Sequence, residues 1–476
     1  MKTKRLVFIP IISSLLVIFA VLFYIIKSNR SASIKHIFLI TIDTLRADHL
    51  GTYGYPRNTS PFIDSLAEKG VLFENAFSQS STTCPSHASI FTGLYRSQHG
   101  LLANHYILPE STTTLAEILK EKGFKTAAFT STEVHFLSTN LNQGFEFYEE
   151  PIDTRETYRI RYRPARLTIN NAIIWLDNFN PSKKLFFWVH VYDPHLPYSP
   201  PREHIKNLDQ NKKDLLKFLE KYNINPGIFN TEDDLYRYIT QYDAEIRYVD
   251  EELKRLYGFV ENKGLNKNSL WIITSDHGEG LGQHNYLNHS KMLYQEQLHV
   301  PLIFFFTDSK IKAQRLKNVV ENFNIFSTVL DILKIDIENK LKKEIQSVSL
   351  WPIIKGSNQN KIKQFAFSER EKYPAKDPFP KNIPEHQRIW EKGDKYSIQD
   401  ENYKYILRTH YQDEFYNLKT DPHEKTNLID ENSNHIRTFK GMILRNLKFF
   451  ERYADKKERK VDPKVRKKLK SLGYIN

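Results

Sequence analysis

The chain has a single cysteine, Cys84, in 476 residues. One thiol excludes any internal disulfide, and it leaves open whether the protein is exported. No internal repeat is present. No small-x-small cleavage site follows the apolar N-terminal run, and no cysteine stands there to carry a lipid. What remains has the balance of an ordinary globular protein, 40% apolar and 26% charged. The length allows one large α/β domain and a smaller one.

Leu6 to Ile26 is apolar apart from Pro10, Ser13 and Ser14, and its 21 residues can cross a bilayer. Lys2, Lys4 and Arg5 precede it, as in a signal-anchor segment. With no cleavage site behind it, the run reads as an uncleaved single-pass anchor. Residues 1–35 then comprise a cytoplasmic start, the span and a short polar linker. Lys27, Arg30 and Lys35 follow the span, so charge alone does not orient it. The net charge of +13 is partly local, because residues 455–470 hold nine Lys/Arg against three acidic residues. Such a tail can touch anionic headgroups, but a solvated helix face is its plainest reading. No nucleic-acid partner is expected, and nothing here sets the oligomeric state.

His36 to Ile42 is a nearly continuous apolar run ending in Asp43, as in a buried central strand. Lys184–Val191, Leu270–Ser275 and Val300–Phe306 read the same way. Helices are expected from Pro61 to Gly70, over Leu115–Lys122 and over Tyr242–Leu256, with a polar helical insertion over 202–235 near the site entrance. Open α/β sheets place their chemistry at the carboxyl ends of strands. Asp43 and the pair Asp276-His277 occupy such ends. Thr83-Cys84-Pro85-Ser86-His87-Ala88-Ser89 reads as a turn feeding a short helix, with Pro85 in its first turn and Gly93 just past its end. Thr83 then sits where free N–H groups gather. Taken alone, a hydroxyl there is most often a cap.

The phrase x-Pro-Ser-His-Ala-Ser-x-x-Thr-Gly resembles the active-site segment of the sulfatase family, in the alkaline-phosphatase superfamily. His190-Val191-Tyr192-Asp193-Pro194-His195-Leu196-Pro197-Tyr198 and Asp276-His277-Gly278-Glu279 resemble two further motifs of that family. The resemblance covers everything after residue 35. It implies a large mostly parallel sheet flanked by helices over 36–350, and a small antiparallel C-terminal subdomain with a basic tail over 351–476. It also implies an extracytoplasmic catalytic domain. In typical sulfatases the segment reads Cys-x-Pro-Ser-Arg, and the cysteine becomes formylglycine. Here Thr83 stands at that position, Cys84 is one place too late, and His87 replaces the arginine. Thr44 stands where a second aspartate is common.

The resemblance implies one divalent metal, calcium, magnesium, manganese or zinc, on Asp43, Thr83, Asp276 and His277. Thr83 is then the expected nucleophile on an anionic ester substrate. His87, His195 and His289 are the candidates to hold its oxygens and take part in catalysis, with His195 first as acid. His190 is the weaker candidate, since it lies inside a strand. Hydrolysis of sulfate or phosphate esters is one expectation. Transfer of a phospho-substituent to a lipid or glycan acceptor is the alternative. A non-catalytic binding domain would have eroded metal ligands, and these are intact.

Overall fold

The computed structural model describes residues 34–454, apart from 105, 133–136, 152–162, 209–211, 223, 225–227, 308–310, 358–364, 371–392 and 432. The expected anchor at 6–26 and basic stretch at 455–470 lie outside the described residues. Among the described residues, no helix is long and apolar enough to cross a membrane.

The first ten strands are β1 His36–Ile42, β2 Val71–Phe77, β3 Phe124–Thr130, β4 Phe147–Glu149, β5 Lys184–Val191, β6 Ser269–Thr274, β7 Gly280–Leu281, β8 Leu287–Asn288, β9 Leu302–Phe306 and β10 Gln314–Glu321. β7 and β8 form a small hairpin. The other eight make one sheet in the order β10-β2-β9-β6-β1-β5-β3-β4. Only β9 runs antiparallel to its neighbours. All seven residues of β1 are buried, because helices cover both faces of the sheet. Phe38, Ile40 and Ile42 pack on one side, towards α1 (Pro61–Lys69), α4 (Ala165–Asp177) and α5 (Glu232–Asn262). Ile37 and Leu39 pack on the other, towards α2 (Thr83–Thr92), α3 (Leu115–Glu121) and α6 (Asn324–Ile332). Each such side chain removed from water contributes about 1.5–3 kcal/mol.

The expected helices form, with one boundary well off. α5 starts at Glu232, ten residues before the periodic segment. The Thr231 hydroxyl caps the Asp234 N–H at 3.1 Å, and Glu232, Asp233 and Asp234 fill the first turn. Acids there complement the helix dipole, so part of what reads as a polar insertion is the start of α5. Residues 202–208 and 212–219 are helical as expected, and bury Leu208, Leu215 and Leu219.

β11 Ala366–Arg370, β12 Lys395–Gln399, β13 Tyr403–Arg408 and β14 Glu414–Asn417 form the expected antiparallel sheet. Helix α7 (Asn434–Ala454) covers it through Phe439 and Ile443. A buried pair, Lys404 Nζ to Glu424 Oε1 at 2.8 Å, fixes Glu424 against β13, and Glu424 in turn ties this sheet to the main domain. The second oxygen of Glu424 accepts the Gln295 N–H at 2.7 Å.

Candidate active site

β1 and β6 are parallel neighbours in register, His36 against Ser269 through Thr41 against Thr274. Both therefore deliver their next residues to one edge. Asp43 follows β1, and Asp276 and His277 follow β6. α2 opens at the same edge with Thr83, and closes on Gly93 at φ 67°, a left-handed conformation that suits glycine. Ligand atoms of Asp43, Asp276 and His277 all lie within 4.8 Å of one another. Thr83 Oγ1 is 3.2 Å from His277 Nε2.

Local hydrogen bonds aim these groups. His277 Nδ1 donates to the Gly278 carbonyl at 3.0 Å, which leaves the Nε2 lone pair facing Asp276 Oδ2 at 3.4 Å and Asp43 Oδ1 at 3.9 Å. Asp276 Oδ1 accepts from the N–H groups of Thr44 at 3.2 Å and His277 at 2.9 Å. Thr44 has φ 55°, an uncommon conformation for a branched residue, and it turns that N–H back towards Asp276. Both oxygens of Asp43, Oδ2 of Asp276 and the Thr44 hydroxyl are buried without a well-formed hydrogen bond. Burial, and then the nearby Asp276, push the Asp43 carboxyl far above the usual range. Burial also acts to raise Asp276, but His277, His87 and His190 outweigh it and hold it at about 2. Burial alone would lower His277, yet Asp276 and Asp43 raise it. Two converging carboxylates with open lone pairs and a preset imidazole suit a small divalent cation.

The histidines fall into two groups. His87 is fully buried one turn along α2. Its Nδ1 donates to the Thr83 carbonyl at 2.9 Å, and Nε2 accepts from Thr41 Oγ1 at 3.1 Å. Both ring nitrogens are engaged, so His87 braces the first turn behind Thr83, with Nδ1 3.9 Å from Asp276 Oδ2. His190 is also fully buried, with Nδ1 2.9 Å from Thr41 Oγ1 and Nε2 3.5 Å from Asp43 Oδ2. Burial, and then His190, depress His87 to about 3, and burial holds His190 at about 4.

His195 is half-buried and His289 is buried close to it, their rings 4.7 Å apart, and His289 lies 4.5 Å from the His277 ring. Burial and the neighbouring His289 lower His195 to about 3, and burial and His277 lower His289 well below its ordinary value. An entering anion supplies the countercharge that lets such rings hold a second proton.

Two participants escape the sequence reading. Glu279 is buried and receives His289 Nδ1 at 3.2 Å. Thr41 also accepts the Trp188 indole N–H at 2.9 Å, and so joins His87, His190 and β5. The signal for Thr41 was its period: a polar residue two before Asp43 in a buried strand faces the same side. Glu279 had only its place after Asp276-His277-Gly278. Cys84 turns away from all this. It is buried with Ala88 and Phe91 in the apolar layer under α2, and burial pushes its thiol well above the usual range.

A profile of the sulfatase family matches residues 35–335, and one for the N-sulphoglucosamine sulphohydrolase C-terminal region matches 282–447. The chain belongs to the sulfatase family and is an ester hydrolase of that family. It is 22% identical over 457 residues to an arylsulfatase of Clostridium perfringens, covering 83% of this chain and 90% of that one. A solved structure holding its substrate D-glucosamine-2-N,6-O-disulfate superposes with a TM-score of 0.72 at 18% identity, over 89% of this chain and 100% of the other. The phosphonate monoester hydrolase of Agrobacterium radiobacter superposes with a TM-score of 0.69 at 21% identity, over 88% and 96% of the two chains.

Proposed function

We propose that the protein is a membrane-anchored, metal-dependent hydrolase of sulfate or phosphate esters in which Thr83 is the nucleophile. The observation that carries this reading is the 3.2 Å approach of Thr83 Oγ1 to His277 Nε2, inside the Asp43–Asp276–His277 cluster and at the start of α2. The residues fit a divalent cation held by Asp43, Asp276, His277 and the Thr83 oxygen. Bound there, such an ion supplies a lower pKa for the hydroxyl and polarises the ester.

The Thr83 hydroxyl would release its proton to solvent water once an ion lowers its pKa, and Oγ1 bonds to sulfur or phosphorus. The bond to the leaving oxygen breaks, and that oxygen takes a proton from His195. His289, held by Glu279, steadies a non-bridging oxygen. Water then attacks at sulfur or phosphorus and frees Thr83. A formylglycine hydrate can expel sulfate when its second hydroxyl loses a proton and the aldehyde re-forms, and a threonine cannot. A group cleared by attack at phosphorus is therefore the easier load, so phosphoester or phosphonate turnover is expected to exceed sulfate turnover. Relatives named for sugar sulfates, such as the N-acetylglucosamine-6-O-sulfatase of Bacteroides thetaiotaomicron, make carbohydrate esters the first natural substrates to try.

The test is a panel of aryl sulfates, phosphomonoesters, phosphodiesters and phosphonate esters given to purified protein of measured metal content. Turnover of at least one class, lost with the metal, is the expected result. A folded, metal-loaded protein that cleaves none of them would sink the proposal.

A further inference from the structure

We propose that the end of the main sheet opposite the catalytic edge rests on the bilayer, through a lysine-rimmed apolar groove between β4 and α4. The proposal rests on the reading of residues 6–26 as an anchor. Four large hydrophobic side chains stay exposed among the described residues: Phe147 at 37%, Leu167 at 50%, Ile174 at 64% and Leu444 at 50%. The first three sit on β4 and α4. Ile174 lies on the later half of α4 and lines the groove, whereas Leu167 stands near the start of that helix, where Asp193 holds the Ala165 N–H, and takes no part in it. Phe147, Trp175 and Phe179 continue the surface inward, with Trp175 5.5 Å from Phe179 and 5.7 Å from Phe147. They border a cavity of about 1010 Å³. β4 is the edge of the sheet, so no described strand covers its outer side. A patch of this kind marks an interaction surface.

The course of the chain says what covers it. Lys35 enters the domain beside β5: its N–H bonds Asn268 O at 2.8 Å, and its carbonyl accepts the Leu185 N–H at 2.9 Å. Lys183, two residues before Leu185, lines the groove, and so does Phe124, which pairs with Lys184 in register. The groove thus opens at the amino end of the parallel strands, where the chain enters, and runs up the β3–β4 flank as far as Phe129 and Glu149. Only residues 27–33 separate the apolar run from Ile34, and seven extended residues reach at most about 25 Å. A bilayer holding residues 6–26 therefore lies close to this end.

The rim suits headgroups. Lys120 and Lys183 make no ion pair among the described residues, whereas Glu146 is neutralised by Lys125 at 3.0 Å. Aromatic side chains beside lysines are typical of a membrane–water interface. The catalytic edge then stands a strand length further out, about 20 Å. The ester reaches it from the aqueous side and is not a headgroup of the anchoring leaflet.

Full-length protein carrying Cys84→Ala and either Ile174→Cys or Leu444→Cys, labelled with an environment-sensitive fluorophore, tests this. It is reconstituted in phosphatidylcholine–phosphatidylglycerol vesicles with and without bromine on the acyl chains. The label at 174 is expected to lose most of its emission in brominated vesicles, while the equally apolar control at 444 keeps it. Undiminished emission at 174, equal quenching at both positions, or a disulfide-linked dimer of the unlabelled Ile174→Cys protein overturns the proposal. Turnover of lipid headgroups in the anchoring leaflet overturns it too. Alkaline carbonate extraction reads the anchor separately. Protein retained but unquenched at 174 defeats the groove and spares the anchor. Protein released by carbonate defeats the anchor, and the proposal falls with it.

Discussion

Thr83 and Cys84 are neighbours in the chain and face different surroundings from one helix. The hydroxyl of Thr83 meets His277 Nε2 at 3.2 Å, while Cys84 is wholly buried in the apolar layer beneath. Successive helical residues diverge by about 100°, so the shift of the cysteine by one place removes it from the site.

Thr83→Ala is therefore expected to lower turnover by on the order of 10³-fold or more, as loss of a nucleophile does. Cys84→Ser should leave most of it. Mass spectrometry of the peptide spanning residues 81–93 reads the same question, since an aldehyde at Cys84 would contradict the assignment. After reaction with a slow substrate, the added mass should sit on Thr83.

Asp276→Ala should strip the metal yet leave a folded domain, because Asp276 belongs to a loop at the sheet edge and not to the apolar layers. Elemental analysis together with circular dichroism checks both halves. Full activity after chelation and dialysis would defeat the metal assignment.

Glu279 holds His289 by its Nδ1 at 3.2 Å. Supports of this kind typically give 10–100-fold in activity, so Glu279→Gln is expected to cost roughly that in kcat. It should leave metal content and melting temperature nearly unchanged. A loss confined to stability would make Glu279 a packing residue only.

The pair Asp193 and Glu245 should make stability fall with rising pH. Glu245 accepts the Ser199 N–H at 2.6 Å, and Asp193 accepts the Ala165 N–H at 2.8 Å, so together they fasten the loop that carries His195. Burial, and then the Asp193 charge, push Glu245 from its ordinary 4.5 up to about 9. The folded protein keeps a proton that the unfolded chain releases. The stability this group contributes is whole below pH 4.5 and shrinks as pH rises towards 9. Glu245→Gln keeps an acceptor for Ser199 and removes the titration. Its melting temperature should exceed that of the parent at pH 8.5 and change less between pH 6 and 9. Identical pH profiles for the two proteins would exclude Glu245 as the source.

Much was decided by the sequence itself. Continuous apolar runs named β1, β5, β6 and β9, since a strand covered on both faces has no polar side. Pro85 and Gly93 bounded α2, because proline suits a first turn and glycine the left-handed residue after a last one. Asp43 and Asp276-His277 stood out as polar groups ending such runs. What only the tertiary structure decided is which of these groups meet. Asp43 and Asp276 converge because β6 lies directly beside β1, and chain order does not reveal that adjacency. The histidines were sorted the same way. His87 and His195 read alike in the motifs, but one lies under a buried helix turn and the other, half-buried, beside His289. Period and motif report how buried a residue is and what chemistry it carries. The direction of its ring, and the partner waiting there, come from packing between separate segments of the chain, Thr41 against His87 and His289 against His195.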